Sequence, residues 1–431
     1  MMKAIGRVAV PGILIGGMSL IPASVALGKL QGVSQTLPQT NVVAVKLADM
    51  DGDGDLDAVI GDDGAGSNPS QVWLNRGDGS FENATLPGFE AVRALDVGDV
   101  DGDGTVDAWV IREDPSSPGH FENRILKNMN GTGRLQDAGI APDYVADPRT
   151  IGLVRLLDYD NNGVQEGVRL FADPNTKDQA YGNPGSGNFV TNAGTLRAGI
   201  SRDAAVGDLD GRFGPDIAVV NGATVNTGDT EGLIAYEYAN GSLTAQPARP
   251  SRQGAEYTAV GLGDVSGDGR GDAVVATSGN EIDVWLVQGD GTFPQGPAET
   301  LSAGNVVHAV ALADVDGDGH PDLIKGTDAG VEVWNNSGHA DYFDDQPSYT
   351  VTTAGTVNQL ALGDLDGDGD VDLLAAEGGI VEVLLNDAAT SGGGNAVPSF
   401  PIGSGGGGGA FGPAALLLLL APAAAGLRRR R

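Results

Sequence analysis

Asp49, Asp51, Asp53 and Asp57 stand at positions one, three, five and nine of the loop Asp49-Met50-Asp51-Gly52-Asp53-Gly54-Asp55-Leu56-Asp57. Four carboxylates held this close repel one another unless a cation sits among them. Hard oxygen donors at this density suit calcium, and Gly52 and Gly54 permit the tight turn that gathers them. The loop recurs with starts at Asp99, Asp158, Asp208, Asp264, Asp314 and Asp364, at spacings of 50, 59, 50, 56, 50 and 50 residues. The second, sixth and seventh copies are complete: Asp99, Asp101, Asp103 and Asp107; Asp314, Asp316, Asp318 and Asp322; Asp364, Asp366, Asp368 and Asp372. The third offers Asp158, Asp160, Asn162 and Glu166, and the fifth offers Asp264, Ser266, Asp268 and Asp272. The fourth keeps Asp208, Asp210 and Asp216 but has Arg212 at position five and Phe213 in place of the second glycine. The protein's own cation can stand in for a metal there. The expectation is therefore about six calcium ions, with the fourth loop the exception.

These loops need a scaffold that presents them at a fixed period. Aliphatic residues stand two and four places before each loop, as in Val45 and Leu47, Val310 and Leu312, or Leu360 and Leu362. That spacing reads as a half-buried strand. The residue just before the loop is usually tiny, as in Ala48, Gly98, Gly207, Gly263, Ala313 and Gly363, which suits close backbone approach. A second strand follows the loop (Ala58-Val59-Ile60), then a third (Val72-Trp73-Leu74). A glycine turn such as Gly77-Asp78-Gly79 then leads to a fourth. A single unit of about 50 residues cannot bury a core and must pack on its neighbours. The fold class expected is all-β: seven four-stranded blades closed into a propeller. The seventh copy lacks a fourth strand after Leu385, and Leu30–Leu37 supplies one from the N-terminal side. Joining the ends also removes two open sheet edges.

The order of strands and acidic loops resembles the FG-GAP and VCBS repeat families, an arrangement shared with the propeller of integrin alpha subunits. The resemblance covers roughly Leu30 to Asn386. It implies that position seven ligates through its backbone carbonyl, which accounts for its variable side chain: Asp55, Thr105, Val164, Arg270, His320, Asp370. Position two, from Met50 to Leu365, is expected to point into the blade. Arg270-Gly271-Asp272 spells an integrin-binding tripeptide, but Asp272 is committed as a ninth-position ligand, so adhesion through it is not expected.

Composition agrees with metal sites. The chain carries 58 acidic and 25 basic residues, a net charge of −33, and 25 of the carboxylates occupy ligand positions in the loops. Nucleic acid is excluded as a partner because its phosphates would be repelled. There is no cysteine, so ions rather than disulfides would cross-link an exported chain. Lys3 and Arg7, the apolar Val8–Ile21 and Pro22-Ala23-Ser24-Val25-Ala26 read as a signal peptide over residues 1–26. The propeller follows over 29–387, then a Gly/Ser-rich linker over 388–409. Residues 410–431 form an apolar segment ending in Arg428–Arg431. This tail resembles the Gly-Gly type of bacterial sorting signal, which implies cleavage near the glycines by a rhomboid-like protease; a plain membrane anchor is the alternative. Export to the cell surface or medium follows, with membrane contact only through the tail.

No catalytic constellation is evident. His120, His308, His320 and His339 are isolated, and no nucleophile elbow occurs. Trp73, Trp285 and Trp334 share one third-strand position, which reads as packing between blades, and Trp109 reads as core. The expectation is a monomeric, non-enzymatic, calcium-stabilised surface or adhesion module that binds a protein or matrix partner. The alternative is a lectin-like or polysaccharide-acting propeller. Exposed tryptophans would favour the second and buried ones the first.

Overall fold

The computed structural model describes residues 29–64, 69–84, 91–114, 117, 121–138, 151–185, 187, 189–212, 214–222, 231–239, 241–250, 256–339 and 341–386. The expected signal peptide, linker and apolar tail lie outside the described residues. Among the described residues every regular element is a β-strand.

After β1 (Leu30–Pro38), the chain forms two four-stranded antiparallel sheets in sequence order. The first is β2 (Val42–Ala48), β3 (Asp57–Asp62), β4 (Gln71–Asn75) and β5 (Phe81–Asn83). The second is β6 (Val92–Gly98), β7 (Asp107–Glu113), β8 (Phe121–Asn128) and β9 (Leu135–Asp137). A seven-stranded sheet comes next: β10 (Ile151–Leu157), β11 (Glu166–Gly182), β12 (Val190–Gly207), β13 (Asp216–Gly222), β14 (Glu231–Ala239), β15 (Ser242–Ala245) and β16 (Arg249–Pro250). Two further four-stranded sheets follow: β17 (Tyr257–Gly263), β18 (Asp272–Thr277), β19 (Glu281–Trp285) and β20 (Glu299–Ser302), then β21 (Val307–Ala313), β22 (Asp322–Thr327), β23 (Gly330–Trp334) and β24 (Tyr349–Val351). The last sheet has the order β1-β27-β26-β25, from β25 (Gln359–Gly363), β26 (Asp372–Ala376) and β27 (Ile380–Asn386). β1 is therefore the outer strand beside β27, with Leu37 opposite Val381 and Thr36 opposite Glu382.

The first strands make a closed circuit: β2 packs on β6, β6 on β10, β10 on β12, β12 on β17, β17 on β21, β21 on β25, and β25 on β2. Hydrophobic clusters lie between successive sheets. One joins Leu37, Leu365, Leu374 and Val383 of the last sheet to Val45, Leu47, Ile60 and Trp73 of the first. This corrects the half-buried strand expected from period two. β3 is buried at every position and β2 at all but one, because each sheet is covered on both faces by a neighbour. The glycines before the loops lie against neighbouring sheets or loops. A Cβ on Gly363 would run into the side chain of Leu56, just before β3.

The third and fourth repeat units share one sheet because β11 and β12 are long. β11 doubles back: the Phe171 amide donates to Asp178 at 2.7 Å, and Arg169 meets Gln179. Ten residues of extended strand would separate the latter pair by about 33 Å. The second half of β11 pairs with the first half of β12, Tyr181 opposite Thr191. The second half of β12 pairs with β13, Gly207 opposite Asp216.

Candidate metal centres

Each acidic loop joins the end of a first strand to the start of a second, so all seven sit at the same end of the ring. The backbone is drawn around the position-one carboxylate. Asp49 accepts the Gly52 and Gly54 amides at 2.7 and 3.1 Å. Asp99, Asp314 and Asp364 do the same with the glycines at their positions four and six. Gly54 can turn here because its φ is +100°, a region an L side chain rarely adopts. Asn161 holds position four of the third loop at φ 57°, the non-glycine residue best suited to that geometry. Positions three and five continue the turn: Asp51 accepts the Asp53 amide at 3.3 Å and Asp53 the Asp55 amide at 3.0 Å.

The ninth position is buried and anchored twice. Asp57 accepts the Met50 amide with one oxygen and the Asn75 amide of β4 with the other, both at 2.8 Å. Asp107, Asp272, Asp322 and Asp372 likewise tie their loops to a third strand. Burial pushes these acids up, Asp57, Asp107 and Asp372 to about 7, Asp272 to about 6, and Asp216, Asp322 and Glu166 to about 8. The hydrophobic residues at position two are buried, from Met50, Val100 and Tyr159 to Leu365.

Ligand oxygens come within 4.8 Å of one another in Asp49/Asp51/Asp53, Asp99/Asp101/Asp107, Asp158/Asp160/Glu166, Asp208/Asp210/Asp216 and Asp314/Asp316/Asp322. The fourth loop, the expected exception, thus still gathers three carboxylates, while Arg212 pairs with Asp210 at 3.1 Å. The donor chemistry fits a hard divalent cation. All these donors are oxygens, and Glu166 Oε2 is buried without a hydrogen-bond partner. Calcium bound there would be held by the residues at positions one, three, five and nine and would supply the positive charge they lack. Among the described residues, three loops carry a cation of their own: Lys127 on Asp101 at 2.5 Å, Arg212 on Asp210, and Arg270 on Asp268 at 2.7 Å.

The Arg270-Gly271-Asp272 tripeptide is closed to a partner in this structure. Asp272 is fully buried, with its oxygens accepting the Ser266 and Val287 amides at 3.0 and 2.9 Å. Trp73, Trp285 and Trp334 are buried at 9, 1 and 2% exposure, as is Trp109 in β7 at 0%.

One set of site residues was missed in the sequence reading. Asn75, Asn128, Asn183, Asn336 and Asn386 stand at or just past the end of a third strand. Each donates its side-chain amide to the position-two carbonyl of the preceding loop in the ring: Leu365, Met50, Val100, Val265 and Val315, at 2.7, 2.7, 2.6, 3.1 and 2.7 Å. The asparagines thus stitch one acidic loop to the next. The signal was the recurrence of Asn two residues after the Trp73 and Trp334 position. Tyr238 and Val287 take that place in the other two units, and the Tyr238 ring instead packs on Tyr159 of the third loop at 5.1 Å.

Three stretches match the model of the FG-GAP-like repeat, residues 49–110, 264–325 and 314–375. No curated protein matches the sequence. The fold is similar to that in the crystal structure of BBS1N in complex with ARL6DN, soaked with mercury. The TM-score is 0.56 at 16% identity, over 84% of this chain and 98% of that one. A second crystal of the same complex, soaked with lead, gives 0.54 at 17% identity, over 86% and 99%.

Proposed function

We propose that this chain is a seven-bladed, calcium-stabilised β-propeller that serves as an exported binding module for a protein partner. On this reading the seven-stranded sheet is two blades run together, and residues 29–387 form the propeller. The observation that supports calcium best is the recurrence of clustered carboxylates at one end of the ring, built on a repeat that matches the FG-GAP-like model. The ligands would be those at positions one, three, five and nine, with the loops that carry their own cation binding more weakly. The module would be non-catalytic.

A protein partner is favoured over a glycan by the burial of Trp73, Trp285 and Trp334, which leaves no shared aromatic platform at that position. The similar BBS1N structure contains a protein, ARL6DN, which supports the same class of role. Residues 1–26 would direct export, and residues 410–431 would hold the chain at the membrane until cleavage in the glycine run releases it to the surface. Metal analysis of mature protein tests the core of this reading. Close to six calcium ions per chain are expected, and two or fewer would overturn it. Mass spectrometry of surface-released protein tests delivery, because a C-terminus still bearing Arg431 would make the tail a permanent anchor.

A further inference from the structure

The end of the ring away from the acidic loops carries a different chemistry. Six first strands have a register shift at the same place: between Val42 and Ala44, Val92 and Ala94, Ile151 and Leu153, Ser201 and Asp203, Tyr257 and Ala259, and Val307 and Ala309. The extra residue of a bulge is re-aimed out of the ladder, and bulges recur beside binding sites for that reason. Here those residues are Val43, Arg93, Gly152, Arg202, Thr258 and His308. They stand six residues, about 20 Å of strand, from the first acidic position of their units.

A cavity of about 90 Å³ opens at this end, lined by Lys46, Arg93, Gly152, Arg155, Arg202, Asp203 and Gln359 among others. Its deeper cations are already matched. Lys46 pairs with Asp96 at 3.0 Å and Arg155 with Asp203 at 3.2 Å, and both pairs are buried. Its rim cations are not matched to the same degree. Arg93 is exposed and, among the described residues, rests on the Phe121 ring at 5.1 Å, while Arg202 shares Glu256 at a loose 3.4 Å. His308, at the equivalent bulge of β21, pairs with Asp328 at 2.8 Å. Among the described residues, one buried polar atom of the lining, Gln359 Oε1, has no hydrogen-bond partner. In a chain of net charge −33, a cavity whose free charge is guanidinium is set apart from the rest of the surface. Screening over about 8–10 Å lets such a local field act on a small ion despite the overall charge.

We propose that this channel mouth binds a single carboxylate group. Guanidinium groups match the planar fork of a carboxylate. The cavity admits a few non-hydrogen atoms, so the carboxylate belongs either to a small free acid or to the terminus of a peptide chain that enters end-on. The site is independent of the calcium loops and of the partner reading above.

Saturation-transfer NMR in saturating calcium and physiological salt tests the proposal with three probes: propionate, a short peptide with a free carboxyl terminus, and its amidated form. Transfer to propionate and to the acid peptide, but not to the amide, is expected. Transfer to propionate alone identifies a small acid as the source, and transfer to the acid peptide alone identifies a chain end. The Arg93→Gln/Arg202→Gln variant should lose at least tenfold in affinity, while Arg93→Lys/Arg202→Lys, which keeps the charge but not the planar fork and controls for folding, should lose less. No transfer to either acid, equal transfer to the amide, or an unchanged double-glutamine variant would overturn the site.

Discussion

Asn386 and Asn128 show how a single side chain joins two repeat units. Asn386 donates to the Val315 carbonyl at 2.7 Å, the one hydrogen bond to that carbonyl among the described residues. Asn128 donates to the Met50 carbonyl, which also accepts the Gly133 amide at 2.7 Å. Removing a donor so that a buried carbonyl is left alone costs about 1–3 kcal/mol. Asn386→Ala should therefore destabilise by about that much, and Asn128→Ala by less because its acceptor keeps a partner. Denaturant melts of the two variants check the order. A second prediction concerns Lys127, whose ammonium occupies Asp101. A partly exposed ion pair contributes about 1 kcal/mol, so Lys127→Met should tighten calcium at the second loop by about fivefold. Calorimetry of the variant against the parent protein reads this directly, and weaker binding would show that Lys127 supports the loop instead.

Among the elements, β1 carries the closure. Its Leu37 is fully buried against β27, and Gln35 makes two 2.7 Å hydrogen bonds with the Phe81 backbone of β5. The side chain of Gln35 so mimics a strand edge and links the outer strand of the last sheet to that of the first. Leu37→Ala should cost about 2–5 kcal/mol, as for other fully buried leucines. Deleting residues 29–38 should open the sheet of β25–β27 first, since β27 then becomes an unprotected edge. Hydrogen exchange resolved by segment distinguishes this from uniform loosening of the ring.

At the scale of the whole molecule, the ninth-position acids set a pH dependence. Their folded pKa values lie above the roughly 4 of an unfolded acid, chiefly through burial. Without metal, the folded chain then holds more protons than the unfolded chain between about pH 4 and 8. The stability from these groups is present at the acid end and lost as pH rises through that window. Metal-free protein should accordingly melt at a lower temperature at pH 8 than at pH 5.5. Calcium should remove or reverse that slope, because it replaces the proton between the carboxylates and binds more weakly as they protonate. Melting curves in chelator and in millimolar calcium at both pH values test this. Identical curves with and without calcium would mean that the loops close without an ion.

The sequence by itself determined the period, the acidic loops, the strand order within a unit and the strand that completes the last sheet. Each is written in local residue types: carboxylates at odd positions, glycines where the backbone must turn, aliphatics two apart. Only the tertiary structure decided what lies between units. Period two suggested a sheet with one wet face, but stacking in a circuit buries both, so β2 is buried at all but one position. The fusion of the third and fourth units depends on the length of β12, which no local signal marks, whereas the reversal within β11 falls at the turn residues Asp173-Pro174-Asn175, where the Asn175 amide donates to Asp173 at 3.0 Å. The asparagine stitches join residues 71 to 290 positions apart, and the arginines at the channel mouth gather from different strands. Such contacts depend on which chain segments the closed ring brings together, and distance in space is not encoded in spacing along the chain.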